Sequence, residues 1–120
     1  MLDQNQINQI VDELKQDVRV KAILITGSYV YGIPNDESDL DVRCIVLDDI
    51  HIEEKERVRF GVKVELFFNS YNSVRFYMKQ GEDEGNGAAI HFWANGKIVY
   101  DPQGLAARLQ QEARDWWRNG

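Results

Sequence analysis

Residues 26–43 read TGSYVYGIPNDESDLDVR, and the reading of this stretch decides the fold. Just upstream, Ala22-Ile23-Leu24-Ile25 is an unbroken apolar run that stops at Gly27, as a strand covered on both faces does. Ten turn-rich residues follow Ser28, and then the pattern alternates. On a strand over 39–47, Leu40, Val42 and Cys44 point to one side and Asp39, Asp41 and Arg43 to the other, because successive side chains face opposite ways.

Working outward, Ile7, Ile10, Val11, Leu14 and Val18 recur at spacings of three and four, which predicts an amphipathic helix starting near Asp3. Segments 57–60 and 62–68 flank Gly61 as a tight antiparallel hairpin. In its second arm Val62, Val64, Leu66 and Phe68 share one face, and Lys63, Glu65 and Phe67 the other. Ser70 is placed to cap a helix to about residue 80, with Val74, Tyr77 and Met78 inward and Gly81 as its stop. Residues 82–87 form an acidic, glycine-rich loop. Segment 88–94 reads either as a short helix ending at Asn95-Gly96 or as a strand turned back through that pair; the helix is preferred. A strand over 97–100 leads to Asp101-Pro102, an N-cap and first-turn pair for a last helix lined by Leu105, Leu109, Ala113 and Trp116. The expected fold is a single α+β domain over residues 1–120, an α/β sandwich built on a mixed sheet.

Fourteen Lys and Arg against twenty Asp and Glu give a net charge of -6, which argues against bulk nucleic-acid binding. Cys44 is the only cysteine, so no internal disulfide forms, and the first residues lack a secretory pattern. A cytoplasmic location is expected. No apolar run approaches the roughly 20 residues of a bilayer span.

On one strand face, Asp39 and Asp41 have Cα atoms roughly 7 Å apart. Their carboxylates repel unless a cation sits with them, and Mg²⁺ is the natural hard, oxygen-liking choice. Gly27 allows close backbone approach, and the Ser28 hydroxyl and following N–H groups suit phosphate oxygens. A nucleotide fits between that turn and the metal.

Gly27-Ser28, ten residues, then Asp39-Leu40-Asp41 resembles the GSx10DxD signature of the DNA polymerase beta-like nucleotidyltransferase superfamily. Its small stand-alone members are similar in element order. The resemblance implies a third carboxylate on a neighbouring strand between apolar residues, and Val64-Glu65-Leu66 supplies it. It also implies two Mg²⁺ ions held by Asp39, Asp41 and Glu65, a nucleoside triphosphate (ATP is the expected one), and transfer of NMP to a hydroxyl of a protein, RNA or small molecule with release of pyrophosphate. Small members often act as the antitoxin of a helical toxin encoded nearby, so a protein partner or acceptor is a further implication; an oligomer is compatible with it. Many members carry arginines in the turn where this chain has Tyr29 and Tyr31. Arg43 and Lys63 are the candidates to replace that charge toward the nucleotide, or are structural partners of a carboxylate.

Other readings stay open. Glu56 and Asp48 could stand in for Glu65. Tyr29 and Tyr31 either stack on a base or pack on the core or loop surface. His91 reads as structural, His51 as surface, Cys44 as a buried inert thiol, and one of Trp116 and Trp117 as exposed. The alternative function is a catalytically silent module of the same fold that binds nucleotide or a protein.

Overall fold

The computed structural model describes residues 1–47, 52–83 and 87–119. Asp48, His51 and residues 84–86 of the acidic loop, on which earlier expectations fell, lie outside them. Helix α1 (Gln4–Lys15) starts where the sequence places it, because Asp3 and Gln6 form a reciprocal capping box that satisfies two free N–H groups of the first turn. Ile10, Val11 and Leu14 are buried. Val18 is 82% exposed: the helix has already ended at Lys15, so the periodicity ran one turn too far.

Strand β1 (Val20–Thr26) leads through Gly27 into the single-turn helix α2 (Ser28–Tyr31), and β2 (Leu40–Val46) returns antiparallel beside β1. Next come β3 (Ile52–Arg59) and β4 (Val62–Ser70), an antiparallel hairpin; helices α3 (Tyr71–Asp83) and α4 (Ala88–Asn95); strand β5 (Lys97–Tyr100); and α5 (Leu105–Asn119). The sheet order is β3-β4-β2-β1-β5, with β2 and β4 parallel and the other pairs antiparallel. A mixed sheet with helices on both faces is the α+β sandwich expected. The Glu- and Arg-rich β3 lies at one edge, where charge discourages pairing with another chain.

The two faces carry separate cores. Leu40, Val42 and Cys44 of β2 and Val62, Val64, Leu66 and Phe68 of β4 pack with α1. On the opposite face Ala22, Leu24 and Ile45 pack with Val74 and Met78 of α3, Trp93 of α4 and Leu109 of α5. Those three helices cover β1 and the C-terminal end of β2. The start of β2 and β4 on that face carries Asp41, Arg43, Lys63, Glu65 and Phe67 instead of core residues.

Three local expectations need correction. Gly81 does not stop α3; it is buried inside a helix that runs on to Asp83, and it lacks the positive φ of a C-terminal glycine cap. Tyr77 is 37% exposed rather than inward. Pro102 lies in a turn ahead of α5, which begins only after Gly104 at φ 75°. Asp101 caps the helix even so, accepting from the N–H groups of Ala106 and Ala107 at 2.9 Å each. Ser70 also caps as expected, accepting from Ser73 N–H at 3.3 Å, although it is the last residue of β4. Segment 88–94 is helical, and β5 pairs with β1. No helix of the described residues is long and apolar enough to cross a membrane.

The β3–β4 turn is Phe60-Gly61, with φ of 54° and 74°. Two positive φ values mark the type I′ turn, in which a bulky first residue is strained. Replacing Phe60 by Asn should therefore stabilise the protein by about 1 kcal/mol, read as a higher denaturant midpoint at unchanged slope.

Candidate active site

Backbone register lays the polar side chains out in rows across the open part of the sheet. Thr26 of β1 is opposite Asp41 of β2, Asp41 opposite Glu65 of β4, and Glu65 opposite Glu56 of β3. Three acids thus stand side by side on adjacent strands. Next to this row, two residues toward the β4 N-terminus, are Lys63 and the Asp39 carboxylate, 3.8 Å from Lys63 Nζ. On the other side lie Arg43, Phe67 and Glu54.

Gly27 ties the turn to this row. Its φ of 84° and ψ of -161° belong to a region open essentially to glycine alone. A Cβ there would lie 2.7 Å from Asp41 Oδ2. The Asp41 carboxylate occupies the space that the missing side chain leaves, so glycine and aspartate fit only as a pair. Ser28 follows as the first residue of α2, whose Val30 and Tyr31 N–H groups bond the Gly27 carbonyl at 3.0 and 3.2 Å.

Burial first, then a shared hydrogen bond with Glu65 and repulsion from its charge, pushes Asp41 up to about 6; Arg43 pulls the other way and Asp39 adds to the rise. Asp41 Oδ1 is buried and has no hydrogen-bond partner. A buried, unpaired acceptor is costly in a folded chain and calls for a ligand.

The two basic residues behave differently. Arg43 is clamped between the rings of Phe67 and Phe92, at 4.5 and 4.1 Å from their centroids, and its Nε donates to Thr26 Oγ1 at 3.2 Å. Burial lowers its pKa from the usual value, while Asp41 is the largest of the neighbours opposing that. Its two terminal nitrogens make no hydrogen bond or ion pair among the described residues. Lys63 Nζ instead sits 3.1 Å from Glu65, 3.7 Å from Glu56 and 3.8 Å from Asp39. The Glu65 contact, with Glu56 and Asp39, raises its pKa.

Among the described residues no three His, Cys, Asp or Glu side chains gather into a ready metal cage. The donor set still suits a hard divalent cation in kind: carboxylate oxygens throughout, one of them the orphaned Asp41 Oδ1. Glu56 is in register with Glu65 but more exposed, at 63% against 29%, which favours Glu65 as the third acid.

The tyrosines take up structural work. Tyr29 packs on the core and its hydroxyl accepts from Leu2 N–H at 3.0 Å. Tyr31 is half-exposed, edge-on to His91 at 5.0 Å, and His91 in turn lies 5.7 Å from Trp117. His91 is thus part of an aromatic group, with its Nδ1 3.1 Å from Asn95 Nδ2. Cys44 is buried, and burial pushes its thiol up to about 12. Trp117 is the exposed one of the tryptophan pair. Thr26 and Phe92, which hold Arg43, carried no signal in the sequence: one ends an apolar strand and the other lies on a helix whose docking is a tertiary event.

The nucleotidyltransferase domain family model matches residues 7–99. The fold is similar to a crystal structure of a nucleotidyltransferase-like protein from Exiguobacterium sibiricum, with a TM-score of 0.68 and 15% identity, covering 92% of this chain and 38% of that one. The chain thus spans well under half the length of that protein, and the likeness at this identity concerns the fold. No curated protein matches the sequence.

The Asp41 geometry makes stability depend on pH. The folded carboxyl keeps its proton up to about 6, against 3.8 as the ordinary value, so the stability it lends is complete below the lower value and lost as pH rises through the higher one. In chelator-treated protein, Asp41→Asn should be more stable than wild type by about 1 kcal/mol above that range, after allowance for screening. Chemical unfolding at about pH 5 and about pH 8 should show the advantage growing with pH.

Proposed function

The chain belongs to the nucleotidyltransferase domain family, whose work is nucleotidyl transfer, and from that membership we propose that it moves an NMP from a nucleoside triphosphate, ATP being the expected one, to a hydroxyl acceptor. The observation that carries the reading is the cross-strand acid row against the Gly27 turn, with Asp41 Oδ1 buried and unpartnered.

Gly27 and Ser28 bring backbone and a hydroxyl to the phosphate tail. The fixed guanidinium of Arg43 faces the same floor and neutralises charge on the phosphates. Asp39, Asp41 and Glu65 would hold two Mg²⁺ ions, which when bound polarise the phosphate and lower the pKa of the acceptor hydroxyl. In the transfer itself the acceptor oxygen forms its bond to the α-phosphorus and the bond to pyrophosphate breaks. Glu65, the less shielded carboxylate beside Asp41, takes the hydroxyl proton.

The acceptor in this proposal is a protein, RNA or small molecule presented by a partner, a helical toxin encoded nearby being the first to test. On this chain, half-exposed Tyr31 and exposed Trp117 leave aromatic surface on the side of α2 and α5. One observation favours the silent module: Lys63 already balances three of the carboxylates.

Incubation with α-labelled ATP, Mg²⁺ and cell extract separates the two. Wild type should label an acceptor, and Asp41→Asn or Glu65→Gln should lower the rate at least about a hundredfold. Nucleotide binding without any labelling by wild type would establish the silent module. Adding the neighbouring gene product as acceptor tests the toxin reading directly.

A further inference from the structure

Lys63 Nζ lies among carboxylates from three places: Glu65 of its own strand, Glu56 of β3, and Asp39 ahead of β2. Only the Glu65 contact, at 3.1 Å, is a close one; the other two are 3.7 and 3.8 Å. Asp41 is not among its partners. The ammonium therefore balances the outer part of the acidic floor and leaves Oδ1 of the innermost carboxylate, Asp41, without a partner.

Lysine is a compact charge on a flexible four-carbon stem, and this one is 39% exposed along its side chain. It can leave its partners for water at small cost, since exposed ion pairs contribute little. Arg43, gripped by two rings, has no such freedom. Glu65 and Asp39 cannot keep Lys63 close and also present their oxygens to a divalent cation, because two positive charges would then share one small volume.

We propose that Lys63 is an exchangeable counterion, holding Asp39, Glu56 and Glu65 together until a divalent cation displaces it, so that it sets the metal affinity of the site. This rests on the reading that Asp39, Asp41 and Glu65 hold the cation. Lys63 keeps the acids from driving one another apart in the metal-free protein, and lowers affinity by the free energy of its own ion pairs.

The test uses the full chain and Mg²⁺ without nucleotide. The Lys63 Cε–Hε signal, assigned by its disappearance in Lys63→Met, is followed by NMR during Mg²⁺ titration at constant pH, and affinities are measured by calorimetry. Saturation should move the wild-type signal to the position of a free lysine. Lys63→Met should bind Mg²⁺ about fivefold more tightly, whereas Lys97→Met, which removes the same charge from the opposite edge strand, should match wild type. Mg²⁺ binding that leaves the Lys63 signal in place overturns the exchange and spares the metal site. Absence of Mg²⁺ binding in wild type and in Lys63→Met overturns both.

Discussion

A carboxylate fills the space where a β-carbon would stand. The 2.7 Å approach that a Cβ on Gly27 would make to Asp41 Oδ2 fixes the relation between the end of β1 and the start of β2, and the other site residues take their positions from it. With the Thr26–Asp41 register set, the parallel pairing of β2 with β4 brings Glu65 beside Asp41, and the β3–β4 hairpin brings Glu56 beside Glu65. One steric constraint at a glycine is thus carried across four strands by backbone hydrogen bonds alone. Any residue larger than glycine would meet both a forbidden backbone region and an occupied space.

Acids side by side on neighbouring strands destabilise a sheet, so the surrounding chain must offset them. It does so with apolar packing on both faces: the β2 and β4 residues directly behind the acids, Leu40, Val42, Val64 and Leu66, are essentially inaccessible to water. Asp41 is strained toward its protonated form in the absence of other ligands. A cation held there, as proposed, would release that strain. The polar floor and the core behind it belong to the same two strands, one face carrying the charged groups and the other the apolar packing.

Much of this was legible because period and spacing are local properties. The alternation through 39–44 separates Asp39, Asp41 and Arg43 from Leu40, Val42 and Cys44, and the apolar spacing from Ile7 places the start of α1 near Asp3. What escaped were features decided at a distance. Gly81 is itself buried within α3 and stays helical, and Pro102 sits in a turn because Asp101 caps α5 from five and six residues away. Val18 continues the heptad-like spacing past the point where the chain must turn into β1. The partners of Arg43 and Lys63 come from β1, β3, β4, α4 and the turn ahead of β2, and no single-sequence pattern tells which ring or which carboxylate a basic side chain will meet.

The tyrosines of the turn show how a site can keep its charge while changing where it comes from. In a turn reading GSYVYG, Tyr29 anchors the N-terminus through Leu2, and Tyr31 packs against His91; neither offers a cation. The positive charge instead rises from the sheet floor. Arg43 is held rigid by Phe67 and Phe92, so its direction is set before any ligand arrives, and little side-chain entropy remains to be lost on binding. A guanidinium on a flexible turn would have to be ordered by the ligand itself. Moving the charge onto β2 also places it two residues from Asp41, where it opposes the rise in that carboxyl's pKa. The same arginine therefore moderates the acid and, in the proposed transfer, would also face the phosphates, two roles that follow from its place on the strand beside Asp41.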